Sequence, residues 1–477
     1  MLHILKLDLG GIPQSWVNAE EATKHYAEGS ISWTLGKPIA VMRGGISRNT
    51  GKQSLIELHS IFATKGAARI NLFEVTPAIT KSKLYRRDQG FCAYCADHVS
   101  ELDSEAEHII PASRGGSYSW MNLVISCRAC NQKKGNRTPE RAGMSLMYAP
   151  YIPSLYEDMI LKEKELPEGE RMDFVTIVTP NHLHFPAAKM ALENGFHVVS
   201  DKPATLNLPE AKELKKIIDK SGLIYALTHN YTAYPMIKEA KALVDAGVLG
   251  EIRKVIVEYP QGWLIDLVEA TGQKQATWRT DPERCGAAGA IGDIGTHAEN
   301  LVEYITGLEI EELCADLTIF VEGRKLDDDG NILIHYSNGA RGVLHCSQIC
   351  NGEENDLNIR IYGSKAGLVW HQMDPNTMIL KSRDGGSRNI RTAVGQLSDA
   401  ANAHCRQPAG HPEGYVETFA NIYRNFAFAL RARWEGKPQN PLYDFPGIEE
   451  GIKGMAFISN VVKSAQDNKN KWIKFEI

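Results

Sequence analysis

The sequence predicts a multidomain α+β chain. It has a small cysteine-clamped module in front, a short run of parallel α/β units in the middle, and a large, mainly antiparallel sheet with interspersed helices behind. Three observations predict this. The length of 477 residues exceeds what a single hydrophobic core serves. Two Cys-x-x-Cys pairs fall close together in the first third. From residue 173 onward, short β-branched runs first alternate with helical stretches and then give way to longer strands of alternating polarity.

In chain order, residues 1–82 read as a β-rich module with one clear helix from Asn18 to Glu28, where Asn18 and Glu21 stand at the spacing of a capping box. RGGISRNTG (43–51) reads as a turn between strands. Residues 83–155 hold the cysteine pairs. Pro150, Pro153 and the charged LKEKELPEGER (161–171) mark 156–171 as a linker, since proline and solvated charge discourage a shared core. Residues 172–250 carry DFVTIVTP, a helix around AAKMALENG, FHVVSDKP, the helix PEAKELKKIIDKSG and IYALTHN, the alternation of βαβ units. Residues 251–477 bring RKVIVEYP, ELCADLTIFVEG, NILIHYS, ARGVLHCSQ, LNIRIYG and GLVWHQ, with a Gly-rich loop feeding the helix DIGTHAENLVEYITG. Internal repeats and low-complexity tracts are absent from the sequence.

With 43% hydrophobic residues and mixed charge, a folded soluble protein is expected. The sequence holds neither an export-type leader nor about 18 uninterrupted apolar residues, so the expected location is cytoplasmic, with no membrane partner. The net charge of −5 conceals an asymmetry: residues 1–150 hold 18 Lys+Arg against 13 Asp+Glu, and the remainder 35 against 45. A basic front and an acidic back point to different partners.

Cys92-x-x-Cys95 and Cys127-x-x-Cys130 enclose 31 residues. Two such pairs bind one Zn2+ tetrahedrally, because each two-residue gap lets a tight turn bring both thiolates onto one ion. The five other cysteines are scattered singly, which suits core positions in a reducing compartment. The enclosed stretch carries Glu107-His108-Ile109-Ile110-Pro111, then SRGG, then Asn122; Asn131 follows the last Cys, and Lys133-Lys134-Gly135-Asn136-Arg137 closes it. This segment resembles the HNH endonuclease family, whose core is a ββα-metal unit. The resemblance implies His108 as general base, Asn122 orienting its ring, and Glu107 and Asn131 as oxygen ligands of a catalytic Mg2+ or Mn2+. Glu107 stands where the family commonly has Asp. Arg86, Arg87, Arg114, Lys133, Lys134 and Arg137 are the candidates for holding DNA phosphates.

DFVTIVTPNHLHFP, SDKPATLNLPEA (200–211), THNY (228–231), WRTDP (278–282), GDIGTH (292–297) and AGHPEGY (409–415) together resemble the Gfo/Idh/MocA oxidoreductase family over nearly all of 165–477. The resemblance implies a Rossmann-like middle segment and a redox site of Lys202, Asp293 and His297. Asp201 replaces the usual Glu before Lys202. His297 as base and Lys202 as a positive charge beside a developing alkoxide suit oxidation of a sugar hydroxyl. Thr179, Pro180, Asn181, His184, Asp201, Lys202 and Asn230 are assigned to the cofactor, Trp278, Arg279 and His411 to a small polyol or sugar. The family also implies homo-oligomers built through the rear sheet.

One part of that family pattern is missing from the sequence. No G-x-G-x-x-G phosphate turn precedes DFVTIVTP, and Gly286, Gly289, Gly292 and Gly295 open a helix of the presumed substrate domain instead. The cysteine module occupies the place of the first βαβαβ unit, so NAD(P) binding is expected to be weakened. The leading expectation is a metal-dependent HNH-type DNA endonuclease fused to a truncated, cofactor-impaired oxidoreductase. The alternatives are an NAD(P)-dependent sugar or inositol-type dehydrogenase with an HNH appendage, and a non-catalytic fusion product.

Overall fold

The computed structural model describes residues 3–46, 51–66, 71–166, 171–467 and 469–477. The chain separates into two compact units, 1–171 and 172–477. Mixed α+β architecture holds in both.

In the first unit, strands β1 (Ile4–Leu7), β2 (Pro13–Val17), β3 (Ile31–Ile46) and β4 (Gln53–Thr64) form a sheet in the order β2-β1-β4-β3. The helix Ala19–Ala27 begins with the expected capping box: Glu21 N donates to Asn18 Oδ1 at 2.9 Å and Asn18 N donates to the Glu21 carboxylate at 3.2 Å. Its Ala22 packs with Ile4, Val17, Leu58 and Phe62. The expected turn at 43–51 falls partly outside the described residues, between the end of β3 at Ile46 and Gly51.

The expected linker is different in the structure. Residues Leu155–Lys164 form a helix capped by Ser154, whose Oγ accepts from Glu157 N at 3.1 Å. Its Met159 packs on Leu5, Leu7 and Ala63, and Asp158 pairs with Arg86 and with Lys83, each at 3.0 Å. The charges that suggested a linker belong to a helix whose apolar stripe, Leu155, Met159 and Ile160, spans only one turn and is hard to see in sequence. Residues 167–170 of the expected linker lie outside the described residues.

Strands β5 (Ser104–His108) and β6 (Leu123–Cys127) pair antiparallel, with Glu107 opposite Val124 and His108 opposite Leu123, and lead into the helix Arg128–Lys134. Arg87, only 4% exposed, braces this ββα unit from behind. It pairs with Asp88 at 2.7 Å and donates to Trp120 O at 2.6 Å and Leu123 O at 2.8 Å, while Asp88 Oδ2 accepts from Ile125 N at 2.7 Å.

In the second unit, β7 (Phe174–Ile177), β8 (His197–Ser200) and β9 (Tyr225–Leu227) form a parallel three-stranded sheet with β8 in the centre. The helices His184–Glu193 and Leu208–Ser221 connect them. All four residues of β8 are buried, whereas β7 keeps Thr176 exposed and pairs only with β8 among the described residues.

The second sheet has nine strands: β10 (Ile252–Pro260), β11 (Ile310–Thr318), β12 (Asp329–Tyr336), β13 (Arg341–Ser347), β14 (Asn358–Gly363), β15 (Ala366–His371), β16 (Thr377–Ser382), β17 (Ser387–Arg391) and β18 (Trp472–Lys474). Their order is β17-β16-β15-β14-β10-β13-β12-β11-β18. The β10–β13 pair is parallel, and all other neighbours are antiparallel. That one parallel seam arises because the chain leaves β10 through the helical segment 268–306 and re-enters the sheet at β11, three positions away, with β13 and β12 between them. Among the described residues no helix is long and apolar enough to cross a membrane.

Truncating Arg87 to Ala leaves the buried Asp88 carboxylate and three carbonyls, those of Trp120, Leu123 and Tyr151, without their cation. A loss of about 3–5 kcal/mol of folding stability is expected for the first unit. Denaturant melts of the wild type and the variant check this, and a change below about 1 kcal/mol contradicts the brace.

Candidate functional site

The chemistry-bearing residues of the second unit converge where the carboxyl ends of the small parallel sheet meet the turn before the helix Thr296–Thr306. Lys202 follows β8, and its Nζ lies 3.0 Å from Asp293 Oδ1 and also contacts Asp293 O. Asp293 sits in a π-turn, Ile291–Gly295, a rare backbone form that concentrates at functional sites. Asp327 holds that turn in place, accepting from Gly289 N at 2.7 Å and Ile291 N at 2.9 Å. A Cβ on Gly289 would stand 2.3 Å from Asp327 O. Gly289 therefore permits a close approach of two backbone segments that any side chain would block.

Asp293 is the most heavily partnered carboxylate of the cluster. Beside Lys202, Arg279 Nε stands 3.4 Å from Oδ1 and Gln348 Nε2 donates to Oδ2 at 2.9 Å. Burial alone would raise the Asp293 carboxyl; Lys202 and Arg279 more than offset it and hold it at about 2. His297 lies one helical turn further on, 8% exposed. Burial first, then the charge of Lys202 and the neighbouring His229, push its imidazole well below the ordinary histidine range. Its Nδ1 is buried with no hydrogen-bond partner among the described residues. The ring is thus uncharged with a spare nitrogen, and the same burial and neighbouring ammonium that keep it uncharged weaken it as a base.

Aromatic and amide side chains close the other side. The Tyr231 ring lies 4.8 Å from His297, His229 lies 5.4 Å from it, and the Tyr231 and Tyr259 hydroxyls touch. Gln348 Nε2 also reaches Gln261 Oε1 at 3.4 Å, and Trp263 Nε1 donates to that oxygen at 2.9 Å. Sequence reasoning did not select Tyr231, Tyr259, His229, Gln261, Gln348 or Asp327. Signals existed for three of them: His229 and Tyr231 lie in the THNY motif, and Tyr259 in RKVIVEYP continues the inward set Val255, Val257, all three of that set at most 3% exposed.

The remaining expected residues divide into those joined to the cluster and those tied up elsewhere. Thr179, at the end of β7, has a buried Oγ1 without a partner among the described residues. His184 spends one ring nitrogen on Thr179 O at 2.7 Å and the other on Pro203 O at 2.6 Å, so it staples two loops and has no nitrogen left for a cofactor. Asn181 donates to Cys285 O at 2.9 Å, Asn230 to Thr418 Oγ1 at 3.2 Å, and Asp201 Oδ1 accepts from Thr228 at 2.5 Å. Pro180 precedes the short helical turn Asn181–Leu183. Trp278 lies under Arg279, with the guanidinium 4.1 Å from its ring centre, which brings both to Asp293. His411 is exposed, its ring facing Pro408 O at 3.3 Å, and no described contact joins it to the cluster.

A nicotinamide dinucleotide meets a one-sided fit here. The unpartnered Thr179 hydroxyl at a strand end suits the nicotinamide side. Nothing described suits the pyrophosphate side, because no strand pairs with the outer edge of β7 and the sequence holds no G-x-G-x-x-G turn.

In the first unit the Cys92, Cys95, Cys127 and Cys130 sulfurs all lie within 4.8 Å of one another, and Cys95 Sγ stands 4.0 Å from Cys127 Sγ. Tetrahedral Zn–S bonds of about 2.3 Å place sulfurs about 3.8 Å apart, so the set fits zinc. Asn122 departs from its expected role. It donates to Ile110 O at 3.1 Å and Ser117 O at 2.8 Å and accepts from Ile110 N at 2.9 Å, fixing the loop after His108 and leaving the His108 ring alone. Gly116 completes that loop, since a Cβ there would stand 1.7 Å from Ile110 O.

His108 itself is half-buried, with Tyr118 6.0 Å from its ring. Of the expected phosphate contacts, Arg114, Lys133 and Arg137 are exposed. Arg86 is engaged by Asp158, Arg87 by Asp88, and Lys134 is fully buried against Glu107, so these three do not face solvent as expected. Asn131, half-buried on the helix Arg128–Lys134, has no described side-chain contact with Glu107.

The Asp293 shift has a pH signature. A carboxyl held below its ordinary value near 3.8 stabilises the fold above that value, and the contribution is lost as pH falls toward about 2. Asp293→Asn is expected to remove about 2 kcal/mol at neutral pH and to show a correspondingly flatter loss of stability between about pH 4 and pH 2. Denaturant melts across that range measure it, and parallel curves for the two proteins count against the Lys202–Asp293–Arg279 arrangement.

Comparison with known proteins agrees with this division. Residues 137–229 match the oxidoreductase family model with the NAD-binding Rossmann fold, 237–369 match the GFO/IDH/MocA C-terminal domain, and 92–147 match the HNH endonuclease model. The oxidoreductase YfiI of Bacillus subtilis is 34% identical over 326 residues, which cover 67% of this chain and 82% of that protein. The crystal structure of an oxidoreductase from Sinorhizobium meliloti is 41% identical with a TM-score of 0.60, covering 67% of this chain and 83% of the other. That of an inositol dehydrogenase homolog complexed with NAD+, from Azotobacter vinelandii, is 32% identical with a TM-score of 0.63, covering 67% and 82%. With the Lys202, Asp293 and His297 cluster inside the matched region, the chain belongs to the GFO/IDH/MocA oxidoreductase family, carried behind a segment that matches the HNH endonuclease family.

Proposed function

We propose that the second unit is an NAD(P)-dependent dehydrogenase acting on a secondary alcohol of a sugar or inositol-type polyol. The observation that carries this is the half-buried ion pair of Lys202 with Asp293 beside the buried His297, whose Nδ1 lacks a partner among the described residues. Asp293 holds the Lys202 side chain in place through the 3.0 Å ion pair. The Lys202 ammonium donates to the substrate oxygen and stabilises the alkoxide character that grows as the C–H bond breaks. His297 takes the hydroxyl proton, and the low-dielectric wall of Tyr231, Tyr259 and His229 keeps water from competing for it. Thr179, Pro180 and Asn181 would hold the nicotinamide side of NAD(P)+, which when bound would supply the hydride acceptor.

Because the phosphate-binding turn is missing from the sequence, cofactor affinity should be weak, with a dissociation constant of about 1 mM or above unless a second polypeptide completes the sheet. Turnover is therefore expected only at high NAD+ or NADP+. Nicotinamide absorbance with a polyol panel should show a rate that Lys202→Ala lowers by about 100-fold or more. A wild-type rate no greater than that of Lys202→Ala sinks the dehydrogenase reading. Calorimetry showing low-micromolar NAD(P) binding by this chain alone sinks the weak-affinity part.

For the first unit we propose a zinc-clamped nucleic-acid module. The four-thiolate cluster supports it, together with exposed Arg114, Lys133 and Arg137 near the half-buried His108. Hydrolysis of a phosphodiester with His108 as the base is the second reading, supported by the position of His108 at the end of β5 with its ring uncommitted to Asn122. A plasmid-nicking comparison with His108→Ala tests it. Faster relaxation of supercoiled plasmid by the wild type is the expected outcome, and equal, background-level nicking rejects catalysis.

A further inference from the structure

The cation that HNH-type hydrolysis is expected to need at Glu107 meets an occupied carboxylate. Lys134, the last residue of the helix Arg128–Lys134, is 0% exposed, and its Nζ contacts Glu107 Oε1 and donates to His108 O at 2.8 Å. Glu107 is 9% exposed. The ammonium thus bridges two consecutive residues at the tip of β5, the residue before the candidate base and the backbone of the base itself.

Among the described residues, the four cysteines are the only group of three or more His, Cys, Asp or Glu side chains close enough to hold one ion. Glu107 belongs to no such group of three or more among the described residues. The expected amide ligand, Asn131, has no described side-chain contact with it. Hard cations such as Mg2+ are reluctant to shed water and need several oxygens with charge to spare. A single buried carboxylate already neutralised by an ammonium offers neither. Drawing Glu107 away toward a divalent ion would leave the Lys134 ammonium buried with one carbonyl, and sharing it would set three positive charges on one carboxylate.

We infer that Lys134 is the resident cation of this site: the first unit carries one zinc on its cysteines and takes no hard divalent cation at Glu107, the positive charge beside His108 being built into the chain. The inference stands on these contacts and holds whether or not the module cleaves DNA. It has a chemical consequence for the nucleic-acid reading. A phosphate approaching His108 meets no divalent ion at Glu107 and finds its cations on the exposed Arg114, Lys133 and Arg137. Any hydrolysis would draw its charge stabilisation from those three and would not rise on adding Mg2+.

Electron paramagnetic resonance of free Mn2+, titrated with the zinc-loaded full-length chain, tests this. The wild type and Glu107→Gln should leave equal free-Mn2+ signals at up to about 1 mM metal. Lys134→Met, with its zinc content checked by mass spectrometry, should gain about one Mn2+ site per chain, and adding Glu107→Gln to it should abolish that site. If Lys134→Met does not fold, the comparison of wild type with Glu107→Gln still decides. One Mn2+ bound per wild-type chain and lost in Glu107→Gln overturns the proposal. So does a folded Lys134→Met that gains no site, because then the lysine is not what closes it. The nicking comparison with His108→Ala reports separately on catalysis, so either idea can fail without the other.

Discussion

The Asp293 carboxylate is the constraint on which the second unit depends. It is fed from three elements distant in sequence: Lys202 after β8, Arg279 from the helix Lys274–Arg279, and Gln348 after β13. A buried charge with so many donors fixes the small parallel sheet, the π-turn and the large sheet in one arrangement. Removing any one donor leaves the others facing an incompletely satisfied anion. The same pairing holds Asp293 below the ordinary carboxylate range, while burial lowers the His297 imidazole a helical turn away.

The first unit uses the same device for a different end. Lys134 and Glu107 also form a buried pair between a helix end and a strand tip. There the pair sits directly beneath the candidate base, so the carboxylate that sequence pattern assigns to a metal is satisfied internally. In the second unit the Lys202 side chain paired with Asp293 keeps 12% of its surface exposed. In the first, the lysine is 0% exposed and offers nothing outward. The difference is burial of the cation, which the residue types alone do not encode.

The small parallel sheet is unusual in ending at β7. Parallel strands are ordinarily covered on both faces and flanked on both edges, and an open edge invites pairing with another strand. Thr176 and Val178 at this edge are exposed, Val178 to 68%. The family match nevertheless extends through this sheet, because the residues that position Lys202 come from β8, β9 and the rear sheet and do not depend on the strands that would carry phosphate. The chemical half and the cofactor-gripping half of such a site are separable in this chain.

Local rules made much of this legible in advance. The four cysteines, the capping box at Asn18 and Glu21, and the strand-helix alternation of 173–229 each depend on residues near in sequence, where spacing alone decides geometry. The Lys202, Asp293 and His297 set was legible only because it falls in recognisable short motifs. Contacts between residues far apart along the chain were beyond sequence reasoning. Gln348 on Asp293, Tyr231 and Tyr259 beside His297, Arg86 on Asp158 and Lys134 under Glu107 all result from packing that brings distant segments together. A lysine and an arginine look alike in sequence whether they face a phosphate or a buried carboxylate. The sequence by itself determined which charges and ligands exist and in what local form, and only the tertiary structure decided which of them are spent on each other, because that depends on desolvation and on distance.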